Sequence, residues 1–320
     1  MPSVSVIIPN YNHAIFLKRR IDSIIEQIYQ DFELIILDDC STDNSREIIE
    51  NYRGNSKINH IEYNQNNSGS PFKQWQKGIA NAKGQFIWIA ESDDDCEPGF
   101  LKEMMQAFEQ NENLVLAHCQ LLCIRNEQVI WRSSTDRINK VTDGVDFNIN
   151  NLLNKNGIEN ASGVVFKKDA FLKIESKYLD MKFCGDWYTW SQICRQGAVF
   201  TSGKYLNYFI KHDSDVSGGA ILAGLDFKEG IDIMLEIIAR EKPNTSYIKA
   251  TLDYRLIQLE DMKYKFSDKD SYPYIKKILL NHYKNYGFDV VPQTTIIQKG
   301  KLAFIKRFKT LKFSAKKLFI

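Results

Sequence analysis

Apolar residues gather into five short runs within the first 125 positions: 4–8 (VSVII), 34–37 (LIIL), 58–63 (INHIEY), 86–90 (FIWIA) and 114–122 (LVLAHCQLL). All but the third are nearly continuous rather than alternating, the pattern of strands covered on both faces. Between the runs, apolar positions switch to helical spacing. Over 14–30 these are Ile15, Leu17, Ile21, Ile24, Ile25 and Ile28. The segment 42–52 opens on cap-forming residues and carries Ile48 and Ile49, while 71–82 and 98–110 each open on a proline suited to a first helical turn. Strands alternating with helices across short connections predict right-handed crossovers and a mainly parallel sheet. Residues 123–217 are less regular, with strands at 163–166 and 205–210 and a Trp- and Tyr-rich helix at 186–196. Helical spacing then takes over at 227–240, 246–265 and 272–286. The expected architecture is an α/β domain over 1–219, a helical appendage over 220–298 and a tail over 299–320.

Composition changes this picture little. The chain has 320 residues, 43% hydrophobic and 12% aromatic, which excludes wholesale disorder, collagen-like repeats and a small disulfide scaffold. A net charge of +2 gives no reason to expect a nucleic-acid partner. Charge placement is more informative: eight of the 42 basic residues and none of the 40 acidic ones fall in 299–320, so the rest carries a net −6. In that tail Phe304, Phe308, Leu311, Ala315, Leu318 and Phe319 share about a third of a helical wheel, the pattern of an interfacial segment. Each Lys or Arg near an anionic leaflet contributes about 1 kcal/mol. A helix packed on the body, or a frayed end, is the alternative for this tail. No basic-then-apolar leader opens the sequence, and no run approaches the ~18 apolar residues of a membrane span. The expected location is the cytoplasm, with peripheral contact at the inner face of the cell membrane through the tail. Six cysteines (Cys40, Cys96, Cys119, Cys123, Cys184 and Cys194) form no C-x-x-C pair and are expected as reduced thiols.

Open α/β sheets bind ligands at the carboxyl ends of their strands, and polar residues cluster there. Pro9-Asn10-Tyr11-Asn12 follows the first run, Asp38-Asp39-Cys40-Ser41-Thr42-Asp43 the second, and Glu91-Ser92-Asp93-Asp94-Asp95 the fourth. Two carboxylates ~4 Å apart repel by about 1 kcal/mol in water and about 4 kcal/mol near a protein surface. A divalent cation relieves that repulsion, and carboxylate oxygens suit Mg²⁺ or Mn²⁺. The alternative is a solvated acidic loop ahead of the next helix. Ser41 to Asp43 are explained as caps; the paired acids before them can accept hydrogen bonds from a base or ribose, and Tyr11 can stack on a base. No G-x-G-x-x-G follows the first strand and no G-x-x-x-x-G-K-[ST] occurs, which argues against dinucleotide oxidoreductases and P-loop NTPases.

The stretches VSVIIPNYN (4–12), ELIILDDCSTDNS (33–45) and GQFIWIAESDDDCEP (84–98), in that order, resemble the inverting family-2 glycosyltransferases with their nucleotide-diphospho-sugar-binding, Rossmann-like GT-A type fold. NASGVVFKK (160–168) resembles the family's acceptor-side strand, Gly185-Asp186-Trp187 its catalytic-base motif, and Lys211-His212 onward its closing loop. The resemblance implies a nucleotide-cradling role for Pro9, Tyr11 and Asn12, base recognition by Asp39 with Asp38 beside it, and a metal and diphosphate site at Asp93 and Asp94. It implies Asp186 as general base. His212, a lone histidine after an aromatic strand, is a candidate to touch the metal or diphosphate, the alternative being a surface or satisfied core residue. Where the family often has Asp and Glu, this chain has Glu91 and Gly185. Asp186 also suits the N-cap of the helix that follows. The implied activity is metal-dependent, inverting transfer from a nucleotide-diphosphate sugar to a saccharide or lipid-linked acceptor, in surface polysaccharide biosynthesis, with Mn²⁺ or Mg²⁺ as cofactor. Two rivals are a nucleotidyltransferase, which calls for a Gly-rich basic loop where this chain has PNYN, and a catalytically silent nucleotide-sugar-binding scaffold.

Overall fold

The computed structural model describes residues 1–134, 136–212 and 216–289, the side chains of 216 and 217 excepted. Contacts divide the chain into two units, one ending at Asp215 and one starting at Val216. The tail expected over 299–320 lies outside the described residues.

The first unit is built on one sheet. Its strands are β1 (Val4–Asn10), β2 (Phe32–Asp38), β3 (Ile58–Tyr63), β4 (Phe86–Ile89), β5 (Asp95–Cys96), β6 (Leu114–Arg125), β7 (Gln128–Arg132), β8 (Lys140–Asp143), β9 (Val164–Lys167) and β10 (Ala198–Ile210). The order is β3-β2-β1-β4-β9-β6-β10-β5, with β7 added to β6 and β8 to β10. β3, β2, β1 and β4 run parallel, as do β6 and β10. β9 lies antiparallel between β4 and β6 and joins the two parallel sets. Helices α1 (Ala14–Ile25), α2 (Ser45–Asn51), α3 (Pro71–Asn81), α4 (Phe100–Gln110), α5 (Gly144–Phe147), α6 (Lys168–Phe171) and α7 (Gly185–Cys194) complete this unit. This is the mixed α/β sheet flanked by helices that the strand–helix alternation predicts.

Burial on both faces explains the continuous apolar runs. Val4, Val6 and Ile8 of β1 share a core with Leu17, Ile21 and Ile24 of α1 and with Phe100 and Met104 of α4. Ile7 faces the other way, against α3, so closely that a Cβ on Gly78 would lie 2.4 Å from its Cγ2. Glycine lets that helix seat on the strand.

Several helix boundaries differ from the sequence pattern. The stretch 14–30 stops at Ile25, leaving Ile28 beyond the helix and 61% exposed, while Ile15 in the first turn is 85% exposed. Gln27 ends it: its amide donates to the carbonyls of Ser23 and Glu97, and its Oε1 accepts from Leu101 N–H. The same contact moves the start of 98–110 to Phe100, because the Pro98 carbonyl accepts from Ile28 N–H. Residues 42–44 stay outside α2, where Thr42 N–H donates to Asn12 Oδ1. Asp186 lies in the first turn of α7, one residue inside, and Cys184 holds the N-cap position.

The second unit comprises α8 (Val216–Leu222), α9 (Leu225–Glu241), α10 (Thr245–Met262) and α11 (Ser271–Asn285). α10 and α11 are tied by Lys249 Nζ to Tyr283 Oη (2.6 Å) and by Tyr272 Oη to Glu260 (2.5 Å). Among the described residues no helix is long and apolar enough to cross a membrane. None of the six cysteines is in a disulfide, and five of them are buried.

Candidate active site

The parallel strands β1, β2 and β4 end side by side, and their last residues carry the polar motifs. Asn10 and Asp38 are register partners, and Asn10 Nδ2 donates to Asp38 Oδ2 at 2.8 Å. Asp38 Oδ1 accepts from Ser41 N–H, turning the chain sharply after β2. Asn12 takes φ +55°, a conformation asparagine tolerates better than most residues, and its N–H reaches Ser41 Oγ at 2.9 Å. Pro9 stays inside β1 opposite Leu37, and Tyr11 projects outward, 45% exposed. These loops form a cradle with a free aromatic at its lip.

Asp39 is buried and occupied. Its Oδ1 accepts from Asn64 Nδ2 (2.5 Å), Gln74 Nε2 (2.8 Å) and Ser68 N–H (2.9 Å), and its Oδ2 from Ser68 Oγ (2.7 Å). The carboxylate expected to meet a base fastens residues 64–74 beneath the cradle. The residues that hold it lie 25 to 35 positions downstream, beyond the reach of any local pattern.

The acids after β4 divide by direction. Asp93 Oδ2 lies 3.0 Å from His212 Nε2, at the end of β10. His13, after β1, brings its ring within 5.5 Å of that of His212. One ligand atom from each of His13, Asp93 and His212 falls within 4.8 Å of the others. Ser92 Oγ holds His13 Nδ1 at 2.8 Å, and Phe16 packs against the His212 ring at 4.7 Å, so both imidazoles are oriented from behind. Burial lowers the His13 pKa, against the pull of Asp93, and favours the neutral ring that a metal ligand needs. Burial pushes the Asp93 carboxyl up, but the His212 hydrogen bond and the charges of both histidines hold it below the usual carboxylate range.

Asp94, expected beside Asp93 as a ligand, points inward. Its Oδ2 accepts from Ser162 Oγ (2.6 Å) and Asn160 Nδ2 (2.9 Å), and its Oδ1 from Ile210 N–H (3.3 Å). Burial and the charge of Asp93 raise its pKa to about 7, against Arg20 and these donors. His13 takes the third place in the cluster. Glu91 is likewise turned inward, accepting from Trp75 Nε1 at 2.9 Å, and burial with Asp93 lifts its pKa to about 8. Arg20, fully buried with its guanidinium 5.1 Å over the Trp88 ring, sets a positive charge against both inward acids. Asp95 turns to the outside, 3.4 Å from Arg19.

One helix links the motifs. From α3, Gln74 holds Asp39, Trp75 holds Glu91, and Phe72 packs against Gly185 at the start of α7. Trp75 also meets Trp190 of α7, with ring centroids 5.8 Å apart. Asp186, partly exposed, accepts from Asn156 Nδ2 (2.8 Å) and Trp187 N–H (2.7 Å). These two hydrogen bonds orient the carboxylate.

An open sheet with a parallel donor-side half, an antiparallel insertion and polar strand ends is the architecture of the GT-A type glycosyltransferases. The structure of Staphylococcus aureus TarS residues 1–349 in complex with UDP-GlcNAc matches with a TM-score of 0.66 at 19% identity, covering 87% of this chain and 81% of that one. The mannosyltransferase PcManGT from Pyrobaculum calidifontis, in complex with GDP-Man and Mn²⁺, matches with 0.52 at 16% identity, covering 94% and 85%. The glycosyl transferase family 2 model matches residues 5–174, and the chain belongs to that family. The poly(ribitol-phosphate) beta-N-acetylglucosaminyltransferase TarS of S. aureus strain Mu50 is 26% identical over 286 residues, 83% of this chain and 45% of its own length. The GalNAc(5)-diNAcBac-PP-undecaprenol beta-1,3-glucosyltransferase of Campylobacter jejuni is 30% identical over 119 residues, 37% of this chain and 38% of its own. The chain spans less than half the length of either curated relative.

Proposed function

We propose that the chain transfers a sugar, with inversion, from a nucleotide-diphosphate sugar to a saccharide or lipid-linked acceptor during cell-surface polysaccharide assembly. The observation that carries this reading is the convergence of His13, Asp93 and His212 at the ends of β1, β4 and β10. Two imidazole nitrogens and one carboxylate oxygen suit Mn²⁺ better than Mg²⁺, which prefers oxygen alone. These three residues would hold the cation, which when bound neutralises charge on the departing diphosphate. The relatives' names and the nucleotides bound in the solved neighbours support a nucleotide-sugar donor and an acceptor of the bacterial surface.

In this account the strand ends and loops carrying Pro9, Tyr11, Asn12 and Asp38 cradle the nucleotide, and Asp39 keeps that cradle in shape. Asp186, oriented by Asn156, takes the proton of the acceptor hydroxyl as its oxygen bonds to the anomeric carbon. The bond from that carbon to the diphosphate oxygen breaks on the opposite face, so configuration inverts and no enzyme nucleophile is needed. The tail over 299–320 provides peripheral contact with the cytoplasmic membrane face, where lipid-linked acceptors reside.

Replacing Asp186 by Asn keeps the size and the Trp187 contact but removes the base. Transfer should fall by about 10²–10⁴-fold, with UDP affinity in Mn²⁺ nearly intact and the wild-type product inverted at the anomeric carbon by NMR. Full turnover in D186N, or a product with retained configuration, would reject the mechanism.

A further inference from the structure

Between β4 and β5 the chain turns through Glu91-Ser92-Asp93-Asp94, closed by Asp94 N–H on the Glu91 carbonyl at 3.3 Å. These four residues lie outside both strands, so side chains from elsewhere decide which carboxylate faces out. The segment 156–162 supplies them, and it uses one device twice. Asn156 Oδ1 accepts from Ile158 N–H at 3.1 Å, and Asn160 Oδ1 from Ser162 N–H at 2.7 Å, each bond reaching two residues ahead. An asparagine fastened by its oxygen turns its NH₂ group, a pure donor, the other way. Asn156 Nδ2 donates to Asp186 at 2.8 Å, and Asn160 Nδ2 donates to Asp94 at 2.9 Å. Two amides four positions apart thus hold carboxylates from two different motifs.

The contact at Asn160 is buried throughout: Asp94, Asn160, Ser162 and Asn207 are all in the interior. Asn207 Nδ2, from β10, is a second donor to Asn160 Oδ1 at 3.3 Å, so the orientation of this amide is fixed from two sides. Ser162 is fixed as well, its carbonyl accepting from Trp88 Nε1 at 2.8 Å. Its hydroxyl accepts from Glu91 N–H at 3.0 Å and donates to Asp94 Oδ2 at 2.6 Å. The turn is therefore gripped at both ends, at Glu91 through the backbone and at Asp94 through the side chain. Asp93, inside that grip, is the acid that faces His212.

We infer that Asn160 is a positioning residue for metal binding: its amide keeps Asp94 inward, and this fixes the turn in the form that aims Asp93 at the cation. Asn160 itself touches neither the cation position nor the donor. The adjacent acids then have opposite tasks, Asp94 as the anchor and Asp93 as the ligand. The segment 156–162 serves both halves of the reaction, with Asn156 turning the base and Asn160 the metal ligand. This role rests on the proposed cation site at His13, Asp93 and His212.

Calorimetric titration of Mn²⁺ into the full chain, with UDP present, tests this role. N160L removes both polar groups at similar size. Its Mn²⁺ affinity should fall about 10–100-fold, the range for residues that orient a metal ligand, while metal-free UDP affinity and the near-UV circular dichroism keep their wild-type values. N156L, the matched change on the same segment, should leave Mn²⁺ affinity unchanged. D94N sets an NH₂ group against either Asn160 Nδ2 or Ile210 N–H, whichever way it turns, and should also weaken Mn²⁺ binding. D94N/N160D reverses the pair: the amide now at 94 donates to the carboxylate at 160, and its oxygen accepts from Ile210 N–H. Most of the affinity lost in D94N should return. Wild-type Mn²⁺ affinity in N160L, an equal loss in N156L, or a folded D94N/N160D as weak as D94N would overturn the assignment. If N160L does not fold, D94N against D94N/N160D decides alone. Wild-type protein that binds no Mn²⁺ would instead sink the cation-site reading underneath.

Discussion

Gly185 stands where the family often carries glutamate, and the structure supplies a steric reason that can be tested. An alanine Cβ at this position would lie 2.6 Å from Phe72 Cε2 and 2.7 Å from Cδ2 and Cζ. Carbon atoms normally approach to ~3.5–4.0 Å, so the overlap is about 1 Å. Phe72 is 4% exposed and meets Trp75 edge to face at 5.3 Å, while Trp75 is itself fixed by Glu91 and Trp190. The ring has little room to move. Overpacking of this kind costs about 1–3 kcal/mol, and the helix-propensity gain of Gly→Ala returns at most about 1 kcal/mol. G185A should therefore be destabilised by about 1–2 kcal/mol in urea unfolding. Since residue 185 opens α7 and precedes Asp186, kcat for transfer should drop while Mn²⁺-dependent UDP affinity holds. Shrinking the ring should restore both: F72L/G185A should be more stable than the sum of the single variants by about 0.5–3 kcal/mol, the range for residues in contact. Strictly additive effects, or a G185A protein as stable and active as wild type, would refute the steric account.

Other expectations follow from buried polar groups. S162A removes the 2.6 Å donor to the fully buried Asp94, and should cost about 1–3 kcal/mol of stability by equilibrium unfolding; a neutral effect would mean that Asp94 is satisfied otherwise. His118 is buried beside Phe147 with Nε2 2.8 Å from Thr201 Oγ1, and burial depresses its pKa from 6.5 to about 4. The unfolded chain then binds this proton near pH 6.5 and the folded chain only near pH 4. Stability from this group is complete above pH 6.5 and is lost as pH falls toward 4, on the order of 3 kcal/mol in all. H118Q should flatten that slope relative to wild type, and an identical pH profile would contradict the assignment.

The donor-side sheet was legible because its strands are covered on both faces, which forces unbroken apolar runs such as VSVII and LIIL; β3 was weaker because its residues are only partly buried. β7 and β8 escaped because exposed strands carry no such constraint. Helix ends failed where a side chain from elsewhere decides them, as Gln27 does for both α1 and α4. The antiparallel course of β9 is equally invisible locally, since four residues carry no direction. At the candidate site, the motifs mark strand ends that lie side by side, but not which carboxylate faces outward. Asp94 turns inward because Asn160 and Ser162, 66 and 68 residues away, receive it. His13 joins Asp93 and His212 only once β1, β4 and β10 are set in one sheet, and its one local sign is its place directly after Pro9-Asn10-Tyr11-Asn12.

The central claim is that His13, Asp93 and His212 together hold a cation that secures the donor diphosphate. Calorimetric titration of UDP with and without Mn²⁺, on wild type and on H13A, D93A and H212A, tests it most directly. Mn²⁺ should tighten UDP binding to wild type by at least about tenfold, roughly 1.4 kcal/mol, and each substitution should erase most of that gain. Equal UDP affinity with and without Mn²⁺ in the wild-type protein, or a gain that survives all three substitutions, would contradict it.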